Sequence, residues 1–240
     1  MTKQIKILFL AANPSDTTRL ELDNEFRTIQ DQLLRGKYRD SFKLLEPQLA
    51  ARIHDFTAAL NRHQPHVVHF CGHGSVEQGL AFEGPRRSRR PAGREELTNL
   101  FKVLARKARL VFLNACYTRE QAALLSRTFD YTIGTNSRIR DIDAHDFAGA
   151  FYRALFDGAT VPGAFLSAQA ALDNRVRAIS VLSQKTTADN SVPFVSQVLS
   201  NVRQQHNCGS VNFHTTVKDG ININSHRGKV IVNSPPRKTR

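Results

Sequence analysis

Three short apolar runs constrain this chain more than anything else in it. Ile7–Ala12 runs into Asn13-Pro14, His66–Cys71 into Gly72-His73-Gly74, and Leu110–Leu113 into Asn114-Ala115-Cys116. A short run with little polar alternation reads as a strand buried on both faces. Between the runs, apolar residues recur at helical spacing. Leu22, Phe26, Ile29 and Leu33 form one stripe, Leu49, Ile53, Phe56 and Leu60 a second, and Leu97, Leu100, Phe101 and Leu104 a third. Buried strands alternating with amphipathic helices call for a mainly parallel sheet covered by helices on both faces. Sites in such sheets lie at the carboxyl ends of the strands. Two of the three runs end in residues capable of chemistry.

Local signals set the expected boundaries. Thr18-Arg-Leu-Glu21 reads as a capping box for the first helix, with Gly36 closing it. Phe42–Leu45 is expected as a strand, and Pro47 as the opening of the second helix. Gly79–Glu83 reads as one arm of a hairpin, followed by an arginine-rich loop. Further helices are expected near 119–128, 144–157 and 163–178, with a strand at Tyr131–Gly134. Residues 183–191 are polar and read as a loop, and 192–205 as a helix. From Gly209 the pattern turns strand-like, with a turn at Asp219-Gly220. The expected organisation is a main domain over 1–180, a linker and helix over 181–208, and a β-rich tail over 209–240. That tail is too small to fold by burial of its own core. It is expected to pack on the domain or to pair through its strand edges.

The formal charge of +13 invites a nucleic-acid reading, but its distribution argues otherwise. Residues 84–94 carry five Arg and no acid, and the last four residues carry three more basic side chains. Eight of the thirteen excess charges thus sit in a loop and a terminus. No aromatic residue interleaves with the arginines, so the stacking expected of a single-strand binder is missing. Nucleic acid is not expected as a partner. Three cysteines (Cys71, Cys116 and Cys208) make no disulfide framework, which points to a reducing cytoplasm. No run of 18 apolar residues exists, and the first apolar run is too short for a signal peptide. His69, Cys71, His73 and Cys116 form a candidate metal set, but their spacing matches no common zinc signature, and no metal or other cofactor is expected.

A thiol nucleophile needs a base nearby, and neighbouring parallel strands deliver their ends to one rim. His73 lies between two glycines, which permit a tight turn and close approach of a peptide. Cys116 follows a small alanine just before an expected helix start, where amides favour negative charge. Cys71 and His69, inside their strand, read as core, and Cys208 as incidental.

Taken together, His69-Phe-Cys-Gly-His73-Gly74 and Leu113-Asn-Ala-Cys116 resemble the CHAT branch of the caspase-like cysteine proteases. Ile7–Pro14 resembles that family's first strand, and Asp141 through Phe151-Tyr152 its helix after the last core strand. The resemblance covers about residues 5–175. It implies a three-layer caspase-like fold and a dyad in which His73 is the general base and Cys116 the nucleophile. Backbone amides of Gly74 and Cys116 would receive the oxyanion. It also implies an acidic side chain for substrate binding, at Asp141 or at neighbouring Asp143, and cleavage after Arg or Lys. Arg138 and Arg140 lie beside them and leave a preference for acidic side chains open. With a basic preference, Arg86, Arg87, Arg89 and Arg90 become a self-processing segment. The family further implies a bacterial defence or cell-death effector switched on by a protein partner or by assembly. Gly220-Ile-Asn-Ile-Asn and Gly228-Lys-Val-Ile-Val-Asn233 loosely resemble amyloid-type signalling motifs, although an ordinary docked hairpin is the simpler reading. The competing reading is a catalytically silent interaction module on the same scaffold.

Overall fold

A computed structural model describes residues 4–49, 52–102, 107–172 and 180–207, together with the strand segments 215–216, 222–226 and 229–233. The chain divides into two compact units, Met1–Leu199 and Ser200–Arg240. The first is built on a six-stranded sheet. Its strands are β1 (Ile5–Ala12), β2 (Phe42–Leu44), β3 (Val67–Gly72), β7 (Leu110–Asn114), β8 (Tyr131–Thr135) and β9 (Ser180–Gln184), in the order β2-β1-β3-β7-β8-β9. All neighbours run parallel except β8 and β9. A smaller antiparallel sheet, β4 (Gly74–Ser75), β5 (Gly79–Glu83) and β6 (Arg89–Ala92), rises from the end of β3.

Alternation along the strands sorts the core into two layers. Ile7, Phe9 and Ala11 of β1, Val67 and Cys71 of β3, and Leu110 and Phe112 of β7 share one layer. That layer packs against α1 (Leu22–Arg35), α5 (Asp141–Phe156), α6 (Val161–Ala171) and the start of α7 (Phe194–Asn207). Leu8, Leu10, Val68, Phe70, Val111 and Leu113 face the other way. They meet α2 (Ile53–His63), α3 (Arg94–Lys102), α4 (Arg119–Leu125) and the small sheet. The three-layer α/β architecture expected from the apolar runs is therefore present. The chain passes from β1 to β2 on one side and then to β3 on the other. The topological switch point, where ligands of such sheets bind, thus opens between β1 and β3.

Several local expectations fail for identifiable reasons. Helix α1 starts at Leu22 with no side-chain cap, so the Thr18–Glu21 box does not form. Instead Asn13 brackets the preceding loop, its side chain exchanging two 3.3 Å bonds with the backbone of Leu20. Helix α2 starts at Ile53, not at Pro47, because Gln48 stays extended. Its N–H donates to Phe9 O, and its carbonyl accepts from Ala11 N–H. The segment read as an arginine loop is a closed hairpin whose second arm, β6, carries Arg89 and Arg90. Ser180–Gln184, which straddles the boundary expected at 180, is the sixth strand of the main sheet, and the first compact unit continues to Leu199. As a half-exposed edge strand with serines in it, β9 carries too little apolar signal to be recognised. In the second unit, β10 (Thr215–Thr216), β11 (Asn222–His226) and β12 (Lys229–Asn233) form an antiparallel sheet in that order. The turn at Asp219-Gly220, Gly228 and Cys208 lie outside the described residues.

His66, at the entry to β3, accepts the Lys6 N–H at Nδ1 (3.0 Å). Burial, reinforced by the charges of Lys6, Lys107 and Arg109, pushes its pKa from 6.5 down to about 4. The unfolded chain therefore binds a proton near pH 6.5 that the folded chain refuses until about pH 4, and native stability falls as pH drops through that window. Thermal unfolding followed from pH 7 to 4 should show this decline. It should be shallower in His66→Asn, whose amide oxygen can still accept from Lys6 and does not titrate.

Candidate active site

Four parallel strands send their ends to one narrow cleft of about 50 Å3. The loop after β1 supplies Leu20, the turn after β3 supplies His73, the turn after β7 supplies Cys116, and the segment after β8 supplies Ile139 and Asp141. The two reactive residues singled out in the sequence thus share one cleft.

His73 is held by its ring. Its Nε2 lies 2.7 Å from the carbonyl oxygen of Thr18. A carbonyl can only accept, so Nε2 carries the hydrogen, and Nδ1 of the neutral ring keeps the lone pair. Burial lowers the His73 pKa and the charge of Arg89 adds to this, while the Thr18 bond and the charge of Asp141 oppose it. The net effect keeps the imidazole in its basic form to lower pH than an ordinary histidine. The Thr18 carbonyl is itself anchored, because the Arg hairpin holds its loop. Ser15 N–H donates to Arg87 O (2.8 Å), and the Asp16 carboxylate accepts the Arg89 N–H (2.8 and 3.0 Å). Sequence reading missed Thr18, because a backbone carbonyl leaves no mark in residue type.

Cys116 stands in the turn after β7, with Sγ 3.8 Å from Ile139 O. Tyr117 beyond it adopts a left-handed conformation (φ 57°) that reverses the chain. The Thr118 hydroxyl pins that reversal, donating to Ala115 O (3.1 Å) and accepting the Thr135 N–H of β8 (2.9 Å). Helix α4 starts only at Arg119 and is seven residues long. Gly74 lies hard against Cys116. A Cβ placed on it would come within 2.2 Å of the Cys116 carbonyl oxygen. Glycine is therefore required at 74 by close approach, while its φ is ordinary.

The floor of the cleft is a polar cluster that centres on Glu25 of α1, itself fully buried, with Cys71 and Asn114 also lining the cleft. His69 Nε2 (2.8 Å) and Asn114 Nδ2 (2.5 Å) reach its Oε1, and the Cys71 thiol (2.7 Å) reaches its Oε2. His69 is sandwiched between Phe9 and Phe112, and its Nδ1 lies 3.2 Å from Tyr152 Oη. Burial alone would raise the Glu25 pKa, but His69 and the bonds from His69, Cys71 and Asn114 outweigh it and hold the carboxyl below its usual range. Burial and the Glu25 charge push the Cys71 thiol well up, so it remains a protonated donor. Of the candidate metal set, His69 and Cys71 are committed to Glu25, and Cys71 also lines the cleft with His73 and Cys116. Glu25 had one visible signal in the sequence, an acid standing within the apolar stripe of the first helix.

The two acidic candidates also part company. Asp141 lines the cleft, its Oδ2 accepting the Glu21 N–H (3.1 Å) and its Oδ1 lying 3.3 Å from His145 Nε2. Asp143 is instead gripped by Arg140 through two bonds of 2.6 and 2.7 Å. In the hairpin, Arg87 pairs with buried Glu83 (3.1 Å) and Arg90 with Glu96 (2.7 Å), while neighbouring Arg94 pairs with Glu120. These arginines are individually neutralised and do not form an open basic patch.

Comparisons with known proteins bear on this arrangement. The family model of the CHAT domain matches residues 10–183. A protein named "Probable protease" from Gillisia limnaea is 27% identical over 154 residues, covering 63% of this chain and 27% of that protein. A "Roc-COR-CHAT protease" from an unknown prokaryotic organism is 24% identical over 176 residues, covering 71% of this chain and 17% of that one. The chain thus spans 17–27% of the length of these curated relatives. Among solved structures, the Drosophila initiator caspase Dronc superposes with a TM-score of 0.50 at 9% identity, covering 77% of this chain and 82% of that one, a likeness of fold.

Two outcomes follow from the geometry. In the folded protein, iodoacetamide should label Cys116 at least about tenfold faster than Cys71, whose thiol is buried and protonated, with site-resolved mass spectrometry as the readout. Gly74→Ala should separate the two strand ends. Because the colliding atom is backbone, we expect about 1–3 kcal/mol of lost stability in denaturant titration and slower labelling of Cys116.

Proposed function

Because this chain belongs to the CHAT-domain family and carries a caspase-like fold, we propose that it is a cysteine endopeptidase with His73 and Cys116 as its catalytic pair. The observation that carries this reading is the 2.7 Å bond from His73 Nε2 to the Thr18 carbonyl, which leaves Nδ1 as the free base in a cleft that Cys116 also lines. Nδ1 takes the Cys116 proton, and the thiolate attacks the scissile carbonyl. Backbone amides of Gly74 and Cys116 receive the oxyanion. The imidazolium then gives its proton to the departing amine, leaving an acyl-enzyme. Water, deprotonated by the same nitrogen, hydrolyses that thioester and frees the acid.

Asp141 is the partly exposed acid of the cleft and supports a preference for Arg or Lys before the cut; Asp143, held by Arg140, is the weaker candidate. At about 50 Å3 the cleft is far smaller than the roughly 300–1,000 Å3 of pockets that enclose ligands. This supports an activating step that opens the cleft, supplied by a protein partner or by assembly through the C-terminal strands. A bacterial defence or cell-death role, acting in the cytoplasm, is the setting in which such gating makes sense. Among the described residues, no helix is long and apolar enough to cross a membrane. Arg86, Arg87, Arg89 and Arg90 are the chain's own candidate cleavage segment. Their turn is closed by bonds such as Gly84 N–H to Ser88 O (2.7 Å), so it must open before it can be cut.

A library of peptides, read at the residue before the cut, tests both activity and preference. Cys116→Ala and His73→Ala should each lower kcat/KM by about a thousandfold or more. Asp141→Asn should selectively slow cleavage after Arg and Lys. Cleavage that survives Cys116→Ala would overturn the reading. The acid limb of the pH–rate profile should lie below the ordinary histidine range. Removing the Arg89 charge (Arg89→Gln) should move it up, and Asp141→Asn should move it down. Autocleavage products near Arg86 should form with the active chain and be absent with Cys116→Ala.

A further inference from the structure

The buried carboxylate of Glu25 occupies a place that apolar packing would fill more cheaply. The inward face of α1 presents Leu22, Glu25 and Ile29, two aliphatic side chains with an acid between them. Burying a carboxylate is tolerated only when hydrogen bonds replace its water, and well-packed apolar residues in place of buried ionic groups are often neutral or stabilising. Stability alone therefore gives little reason for an acid at this position. What distinguishes Glu25 is the set of partners that it joins.

Those partners come from both strands that carry the reactive pair. His69 and Cys71 belong to β3, and Asn114 to β7. Cys71 and Asn114 are, moreover, the last paired residues in the β3–β7 ladder. Two residues beyond Cys71 comes His73, and two beyond Asn114 comes Cys116. Past that last rung the strands exchange no further ladder bonds, and the two segments touch only where Gly74 packs against the Cys116 carbonyl. Glu25 grips both sides of the rung from which they depart. A fourth element, α5, closes the cluster, with His145 Nε2 3.9 Å from Glu25 Oε2 and 3.3 Å from Asp141 Oδ1.

We propose that Glu25 is a positioning residue, a single carboxylate that clamps the ends of β3 and β7 and so sets the relative placement of His73 and Cys116. The proposal rests on the His73/Cys116 reading above. It adds a third residue, on a separate element, which lies in the floor of the cleft with no exposed surface and acts through the two strands. Glu25→Gln keeps the shape and one acceptor but puts an NH2 group against existing donors, so it should loosen the clamp.

The test uses the full chain, with two readouts on the folded protein. One is the iodoacetamide labelling rate of Cys116, and the other is steady-state hydrolysis of a fluorogenic peptide ending in Arg. A displacement of about 1 Å is worth roughly a hundredfold in rate. Glu25→Gln should therefore lower kcat by about that factor and slow Cys116 labelling, with KM within about twofold of the wild type. Asn114→Ala, which removes the β7 bond to Glu25 and a longer one (3.4 Å) to the Ala144 carbonyl of α5, should give a smaller loss in the same direction, and it serves if Glu25→Gln does not fold. The double variant should be no worse than Glu25→Gln alone, since both act through one clamp. A lowered melting temperature with unchanged kcat and labelling rate in the folded protein would overturn the proposal, as would fully additive losses. A wild-type Cys116 labelling rate indifferent to His73→Ala would instead bring down the dyad itself, and the clamp's catalytic purpose with it.

Discussion

Parallel pairing of β3 with β7, buried on both faces, is the constraint from which the rest of the structure follows. Parallel neighbours point their carboxyl ends the same way, so residues that follow the two strands must emerge at one rim. The pairing register from Val67–Leu110 to Cys71–Asn114 sets how far each strand runs before it lets go. His73 and Cys116 stand at equal distances past that point. The apolar layers on either face supply the stability, and their tight packing makes the rim stiff enough to hold two small groups in one cleft.

Polar contacts then refine what the sheet places. Thr18 offers a backbone carbonyl that selects the tautomer of His73, and the Arg hairpin steadies the loop that carries it. Thr118 ties the Cys116 turn to β8. Gly74 permits a contact with Cys116 that no side chain would allow. Each of these comes from a different part of the chain, and each acts within one or two residues of the reactive pair. The arginine-rich segment changes meaning in this setting. Three arginines in and beside it are paired with acids, and its backbone buttresses the loop under His73, so its charge says less about partners than its hydrogen bonds say about the site.

Strands buried on both faces and helices with a regular apolar stripe were readable, because burial leaves its period in residue type. That His73 and Cys116 share a cleft was readable because each lies within two residues of such a strand's end. Strand β9 was not, since a half-exposed edge tolerates serine. The start of α2 was not, since Pro47 suits an extended segment bonded to β1 as well as a helix start. The capping box at Thr18 failed because Asn13 closes the loop over a distance that local pattern does not register.

By itself, the sequence determined the α/β class, the central strands and the helices with a regular apolar stripe, the family, and the two residues most suited to the chemistry. These depend on hydrophobic period and on chemistry at strand ends, both local properties. Tertiary structure alone decided which nitrogen of His73 is free, which of Asp141 and Asp143 reaches the cleft, and that Glu25 joins β3 to β7. These are contacts between residues 44 to 120 positions apart, among them Glu25 with His69, His73 with Thr18 and Glu21 with Asp141. Each depends on angles and distances set by the packed layers, and residue type carries no record of those until the chain has folded.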